Sequence, residues 1–255
     1  MNCAPKLVAY AIPGIPLIEA GDDITGIIID RAKAVGIHLR PGDALVISSK
    51  IVSKARGRLV ALAGVEPSCE AKNLAAETGK DPRLVELILR ESRRVSRKRL
   101  GVLVTEHHLG LVSANAGVDQ SNIEAGDDMA LLLPVDPDGA AREYRADIER
   151  RLGINVAVII SDTHGRPFRV GNVGVAIGAA GLPTVKDLRG QRDLYGRILE
   201  VTQVAYADLV ASAAHLLCGE ADEGLPAVLL RGLDLGAPHG RAADLNRAAE
   251  HDLYR

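Results

Sequence analysis

The stretch Val158-Ile159-Ile160-Ser161-Asp162-Thr163-His164-Gly165-Arg166 runs from uninterrupted branched apolar residues straight into hydroxyls, a carboxylate and a glycine. A run that is apolar at every position, not at alternate ones, predicts a strand buried on both faces. The polar residues that follow are then the end of that strand, with Gly165 turning the chain and Arg166 beyond the turn. A strand end holds side chains rigidly, and carboxylate and hydroxyl oxygens are hard ligands suited to Mg²⁺ or Mn²⁺. The same pattern also serves as an Asx turn that caps the strand.

Outward from this stretch, apolar runs at 7–12, 44–48, 101–104, 111–114, 156–160, 173–177 and 227–230 read as strands. Helices lie between them. Asp22 or Asp23 caps a segment with Ile24, Ile27, Ile28 and Val35 on one side, and Gly36 is placed to end it. Asp81-Pro82 is an N-cap and first-turn proline opening a helix that carries Leu84, Val85, Ile88 and Leu89. Another starts at 136–138 and runs to Leu152, where Gly153 stops it. The longest is predicted over 199–217, with Thr202, Tyr206, Leu209, Ala213 and Leu216 on one face. Strands and helices mix without a strict βαβ rhythm, so the predicted class is α+β. The basic run Arg90, Arg93, Arg94, Arg97, Lys98, Arg99 reads as a solvated helix face, and His107-His108 as surface or loop.

Composition narrows the function classes. The 255 residues are 47% hydrophobic but hold one Phe, five Tyr and no Trp, so the core is aliphatic and an aromatic nucleic-acid platform is excluded. Lys plus Arg total 31 against 33 Asp plus Glu, a net charge of −2, which gives no global attraction to nucleic acid or an anionic membrane. Cys3, Cys69 and Cys218 are too far apart for a cysteine zinc site, and their odd number argues against a disulfide framework. No signal pattern opens the chain and no run approaches the ~18 apolar residues of a membrane span, so a cytoplasmic protein is expected. The usual phosphate loops, the H-E-x-x-H motif and the G-x-S-x-G elbow are absent. The series Gly171, Gly174, Gly178, Gly181 is read as close backbone packing.

Three further polar segments join the first. Residues 113–122 carry a strand into Asn115-Ala116-Gly117-Val118-Asp119-Gln120-Ser121-Asn122, where Asp119 can supply a second carboxylate to the same cation and Asn122 can bond a phosphate or nucleotide. Residues 42–54 end a strand in Ser48-Ser49-Lys50 and place Lys54 four residues on, one helical face able to cradle polyphosphate oxygens. Leu217-Cys218-Gly219-Glu220-Ala221-Asp222-Glu223-Gly224 crowds three acids at a helix C-terminus, which calls for either solvent or a cation.

In order and spacing these segments resemble the coenzyme F420-0:L-glutamate ligase family. The resemblance spans nearly the whole chain: Gly14-Ile15-Pro16-Leu17-Ile18, the Ser-Lys segment, Asn115 to Asp119 with Ser121-Asn122, Ser161-Asp162-Thr163, Gly165-Arg166-Pro167-Phe168-Arg169, Lys186-Asp187, Asp193-Leu194-Tyr195-Gly196-Arg197 and Gly219-Glu220 before Gly224-Leu225-Pro226. It implies a GTP-dependent ligase that adds γ-linked L-glutamate to the deazaflavin coenzyme F420-0 through an acyl phosphate, releasing GDP and phosphate. It also implies a single ligase unit over residues 1–255, of two interleaved α+β subdomains with a discontinuous boundary, assembled as an intertwined homodimer. A nitroreductase-like domain fused to some members is not expected here.

Carried over by position, Ile15, Pro16, Leu17, Ile18, Ser49, Lys50, Lys54, Asn122 and the loop Leu216, Leu217, Cys218, Gly219, Glu220, Ala221, Asp222, Glu223 would hold GTP. Asp119 and Asp162 would bind one Mg²⁺ or Mn²⁺, with Thr163 and Glu220 at a second, and K⁺ is a candidate assisting ion. Asp162, Lys54 and Arg166 are the expected catalytic groups. Arg166, Arg169, Lys186, Arg189, Arg192 and Arg197 supply positive charge for the substrates' phosphodiester and carboxylates. Two other functions stay open on the residues alone: another metal-dependent nucleotide-using carboxylate-amine ligase, and a nucleotide-binding protein without turnover.

Overall fold

The computed structural model describes residues 4–123, 126–237 and 239–252, so Cys3 lies outside it. The chain runs β1 (Val8–Ala11), α1 (Ile24–Ala34), β2 (Ala44–Ser48), α2 (Ser49–Ala55), β3 (Leu59–Ala61), α3 (Cys69–Thr78), α4 (Pro82–Arg90), β4 (Ser92–Arg99), β5 (Val102–His107) and β6 (Val112–Ala114). It continues β7 (Met129–Leu131), α5 (Pro137–Leu152), β8 (Ala157–Arg166), β9 (Arg169–Ala180), β10 (Val185–Asp187), β11 (Gln203–Ala205), α6 (Tyr206–Cys218) and β12 (Ala227–Arg231). The caps fall where the side chains demand. Asp23, Asp81 and Asp136 each accept a backbone N–H at the start of α1, α4 and α5, and Gly153 closes α5 in the left-handed conformation.

The main sheet has the order β1-β12-β2-β8-β9, with β2 and β8 parallel and every other pair antiparallel. Its central strands are buried on both sides, as their unbroken apolar runs require. Alternate residues feed two cores. Leu45, Ile47, Val158, Ile160 and Leu229 pack with Ile28 of α1 and Ile148 of α5. Val46, Ile159, Val228 and Leu230 pack on the other face with Val210 and Ala214 of α6. A third core, with Leu74, Val85, Ile88, Leu103 and Leu132, belongs to the part of the chain between α2 and α5, around the sheet β4-β5-β6. This mixture of one largely antiparallel sheet with segregated helices is α+β.

Several elements differ from expectation. The helix placed at 199–217 begins only at Tyr206, because Gln203–Ala205 pairs with β10, and α5 is the longer helix. Its buried face is Ala207, Val210, Ala211 and Ala214, while Leu209 and Leu216 of the expected apolar face are exposed. Small residues win that face because α6 lies very close to β9: a Cβ on Gly174 would sit 2.8 Å from the Ala211 carbonyl oxygen. Gly178 likewise allows the start of α5 to approach, since a Cβ there would fall 2.2 Å from the Pro137 oxygen.

The basic run is not a helix face. Arg90 ends α4, and Arg93, Arg94, Arg97, Lys98 and Arg99 lie on the edge strand β4, where their charge guards an unpaired edge. His107 is buried at the end of β5, with Nδ1 accepting from the Leu109 amide, and only His108 is exposed. Gly165 does not turn the chain. Strand β8 continues to Arg166, and the hairpin turns at Pro167-Phe168, where Phe168 takes φ 60. No described helix is long and apolar enough to cross a membrane.

Candidate functional site

Because β2 and β8 are parallel neighbours with Ser48 opposite Ser161, their C-terminal ends lie side by side. Helix α2 leaves the end of β2 at once, capped by Ser48, and Ser49 comes to face β8. A register shift between Ile160 and Ser161 re-aims β8 at this point. Asp162 then has both oxygens fixed: Oδ1 accepts the Ser49 hydroxyl at 2.9 Å, and Oδ2 lies 3.1 Å from His164 Nε2. Beyond His164, burial pushes the Asp208 carboxyl up, against the Ala176 amide and His164, which favour its charge.

The segment after β6 carries strained backbone to the same place. Asn115, Ala116 and Asn122 all have positive φ, which costs a residue with a Cβ on the order of 1 kcal/mol and persists only where packing imposes it. Asp119 is pinned by paired backbone hydrogen bonds with Leu131. Its Oδ2 accepts Lys50 Nζ at 2.8 Å and the Ser121 hydroxyl at 2.9 Å, and its Oδ1 accepts the Ser121 amide at 2.8 Å. Burial opposes its charge, but these donors, Lys50 first, hold its pKa below the ordinary aspartate value. Lys54, one turn along α2, donates to the Asn122 carbonyl at 2.8 Å. Burial and the neighbouring Lys50 lower the Lys54 pKa.

The loop after α6 closes a third side. Glu220 Oε1 accepts the Thr163 hydroxyl at 3.1 Å and is paired with His215, and Glu223 accepts the Ala221 amide at 2.8 Å. Burial, with Glu220 adding to it, pushes the Cys218 thiol up to about 11, so it is protonated and inert near neutrality. The three sides enclose a cleft of about 1340 Å³ whose rim includes Ile15, Pro16, Leu17 and Ile18.

Of the residues singled out in the sequence, Ser49, Lys50, Lys54, Asp119, Asn122, Asp162, Thr163 and those from Cys218 to Glu223 all line this cleft. Leu216 and Leu217 do not: the first is exposed and the second packs on the second core. Arg166 also lies outside, at the tip of the β8–β9 hairpin beside Arg169. Three of the other cations proposed for substrate have local partners: Lys186 pairs with Asp234 and Arg189 with Asp187, while Arg192 donates to the Gly196 carbonyl. All four of Ser121, Ser161, Asn172 and His215 line the cleft; sequence reading quoted the two serines within their motifs without giving either a role of its own, and passed over Asn172 and His215. Of these last two only His215, five residues before Glu220, left a trace, and the misplaced face of α6 hid it.

Among the described residues, no three His, Cys, Asp or Glu side chains converge as a metal cluster. The donor chemistry nevertheless suits a magnesium-like ion, which takes one or two carboxylates and completes its shell with water and phosphate oxygens. Asp119, Asp162, Glu220 and the Thr163 hydroxyl are oxygen donors of that kind around one cleft.

Comparison with known proteins gives the family. The family model described as F420-0:Gamma-glutamyl ligase matches residues 14–232. A protein of Methanothermobacter thermautotrophicus called Coenzyme F420:L-glutamate ligase is 48% identical over 96% of this chain and 97% of its own length. One of the same name from Methanopyrus kandleri is 47% identical over the full length of both, and one from Methanocaldococcus jannaschii is 43% identical over 94% of each. The chain therefore belongs to the F420-0:gamma-glutamyl ligase family and is an enzyme of the ligase class.

Proposed function

We propose that this ligase joins L-glutamate to the deazaflavin coenzyme F420-0 by an amide bond, with GTP as the energy source. The observation that carries the reading is that Asp119, Asp162, Lys50 and Lys54 line one cleft, in a chain 48% identical to a relative named for that activity. An unactivated carboxylate does not react with an amine in water. A carboxylate oxygen of the precursor attacks the γ-phosphorus, the bond to the β–γ bridging oxygen breaks, and GDP leaves. The glutamate amine then attacks the acyl carbon, its proton goes to solvent or a nearby base, and phosphate is expelled.

Mg²⁺ or Mn²⁺, when bound, neutralises charge on the phosphoryl oxygens. The chain's own part is positioning and electrostatics. Asp119 and Asp162 would hold the cation, and Thr163 and Glu220 a second one. Lys50, Lys54, Ser49, Asn122 and the loop from Cys218 to Glu223 would take the nucleotide's polar atoms, with the segment from Ile15 to Ile18 against the base or ribose.

A homodimer is part of this reading. Phe168, Val170, Leu194, Tyr195 and Val201 are each at least 85% exposed in the single chain, and a second copy would take these apolar side chains out of water. They lie on the β8–β9 hairpin tip and the segment before β11, and a second copy covers them in the proposed assembly. The substrate role of Arg166 rests on that assembly. In this reading the third core would belong to the second subdomain, entered after α2 and left before α5.

The test is to incubate the protein with GTP, Mn²⁺, L-glutamate and F420-0, and to follow GDP and the product mass. GDP release that requires both co-substrates, with a product heavier by one or more glutamyl units, is expected. Release without the precursor would make the protein a nucleotidase, and binding without release a non-catalytic binder. Sedimentation at micromolar concentration is expected to give a dimer.

A further inference from the structure

We propose that Lys50 is a built-in counter-ion for Asp119 that a divalent cation must displace, so that cation binding depends on a nucleotide phosphate to receive Lys50. This rests on the reading of Asp119 as a cation ligand in the cleft.

The two carboxylates of the site are held differently. Asp162 is bonded by the Ser49 hydroxyl and by His164 Nε2, groups that leave a carboxylate free to share its oxygens with a metal. Asp119 instead has an ammonium 2.8 Å from Oδ2, and that ammonium is also 2.8 Å from Ser121 Oγ. With the Ser121 hydroxyl on the same oxygen and the Ser121 amide on the other, the donors around Asp119 are complete on the Oδ2 side. A magnesium-like ion sits roughly 2.0–2.1 Å from its oxygen ligands. Two positive groups on one oxygen at such distances repel strongly, so cation and ammonium compete for one place.

Lys50 also has somewhere to go. It lies on α2 one turn from Lys54, and both face the cleft. Lys54 ties down the same loop through the Asn122 carbonyl. The two lysines thus clamp residues 119–122 to α2, and anionic oxygens entering the cleft offer both of them a stronger partner. A phosphate that draws Lys50 away exposes Asp119 to the cation. By linkage, the cation then strengthens the nucleotide's binding by the same factor.

The pair is partly exposed, at 34% for each side chain, so the competition is modest: about fivefold in cation affinity. The experiment titrates Mn²⁺ alone, and then Mn²⁺ with GDP, into wild type, Lys50→Met and Lys50→Arg, by calorimetry and by the Mn²⁺ spin-resonance signal. Lys50→Met is expected to bind Mn²⁺ alone about fivefold tighter than wild type and to lose most of the gain that GDP confers. Lys50→Arg keeps the positive charge and the wild-type pattern, and Asp119→Asn in the Lys50→Met background removes the extra affinity. Equal or weaker Mn²⁺ binding by Lys50→Met, in a protein that melts like wild type, overturns the exchange and leaves the cation site standing. Absence of Mn²⁺ binding in every protein, with and without GDP, overturns the cation-site reading and the exchange with it.

Discussion

Replacing Ser49 by Ala isolates one hydrogen bond on which the site depends. Its hydroxyl donates to Asp162 Oδ1 at 2.9 Å, and the residue is only 2% exposed, so water does not readily take the place of the lost group. A hydrogen bond to a charged acceptor contributes roughly 1.5–3 kcal/mol. At about 1.4 kcal/mol per decade that is tenfold to hundredfold, the range seen when a group supporting a metal-bound carboxylate is removed. His164 still steadies Oδ2 at 3.1 Å, which limits the freedom Asp162 gains. Ser49→Ala is therefore expected to weaken Mn²⁺ binding in the presence of GDP by about tenfold and to lower kcat/KM for GTP by a similar factor. Ser49→Thr, which keeps the hydroxyl, should recover most of the loss. Calorimetry for the metal and initial rates for turnover read both. A Ser49→Ala protein within about twofold of wild type in both, or a Ser49→Thr protein as impaired as Ser49→Ala, would refute the reasoning.

Two other outcomes follow from particular contacts. Asp138 accepts the Ala179 and Ala242 amides at 2.8 Å each and the Ala243 amide at 3.4 Å, so Asp138→Ala leaves these donors without their partner and should cost about 2–6 kcal/mol, a fall in Tm of roughly 10 °C by calorimetry. Lys54 has a lowered pKa, and in the proposed site its charged form would bind phosphate, so GDP affinity should hold at low pH and fall as pH rises through a value below the ordinary ~10.4 of lysine. Lys54→Arg remains charged throughout and should lack that alkaline fall; identical profiles would assign it to another group.

The parts of this fold that were legible in the sequence are those fixed by local chemistry. Asp81-Pro82 and Asp136 to Gly153 announce α4 and α5 because capping and proline geometry act within a turn. The solid apolar runs of β2, β8 and β12 announce burial on both faces. What stayed hidden was decided by distant partners. Polar residues 161–166 extend β8 only because β9 pairs with them, and the arginine-rich β4 is a strand because β5 lies beside it. The face of α6 was misjudged because its alanines pack against Gly174, whereas leucine spacing pointed to the exposed side. At the site, Asp119, Asp162 and the two lysines could be named from strand ends. The place of Ser121 and His215 depended on where those ends meet.

The central claim is that Asp162 stands at the reacting centre of a nucleotide-driven ligase, and Asp162→Asn tests it most directly. The amide keeps the shape of the side chain and an acceptor for Ser49, so the fold should survive, as a wild-type thermal melt will show. GDP release dependent on glutamate and F420-0 is then expected to fall below detection, and GDP binding to lose its dependence on Mn²⁺. Wild-type turnover by a folded Asp162→Asn protein would contradict the account.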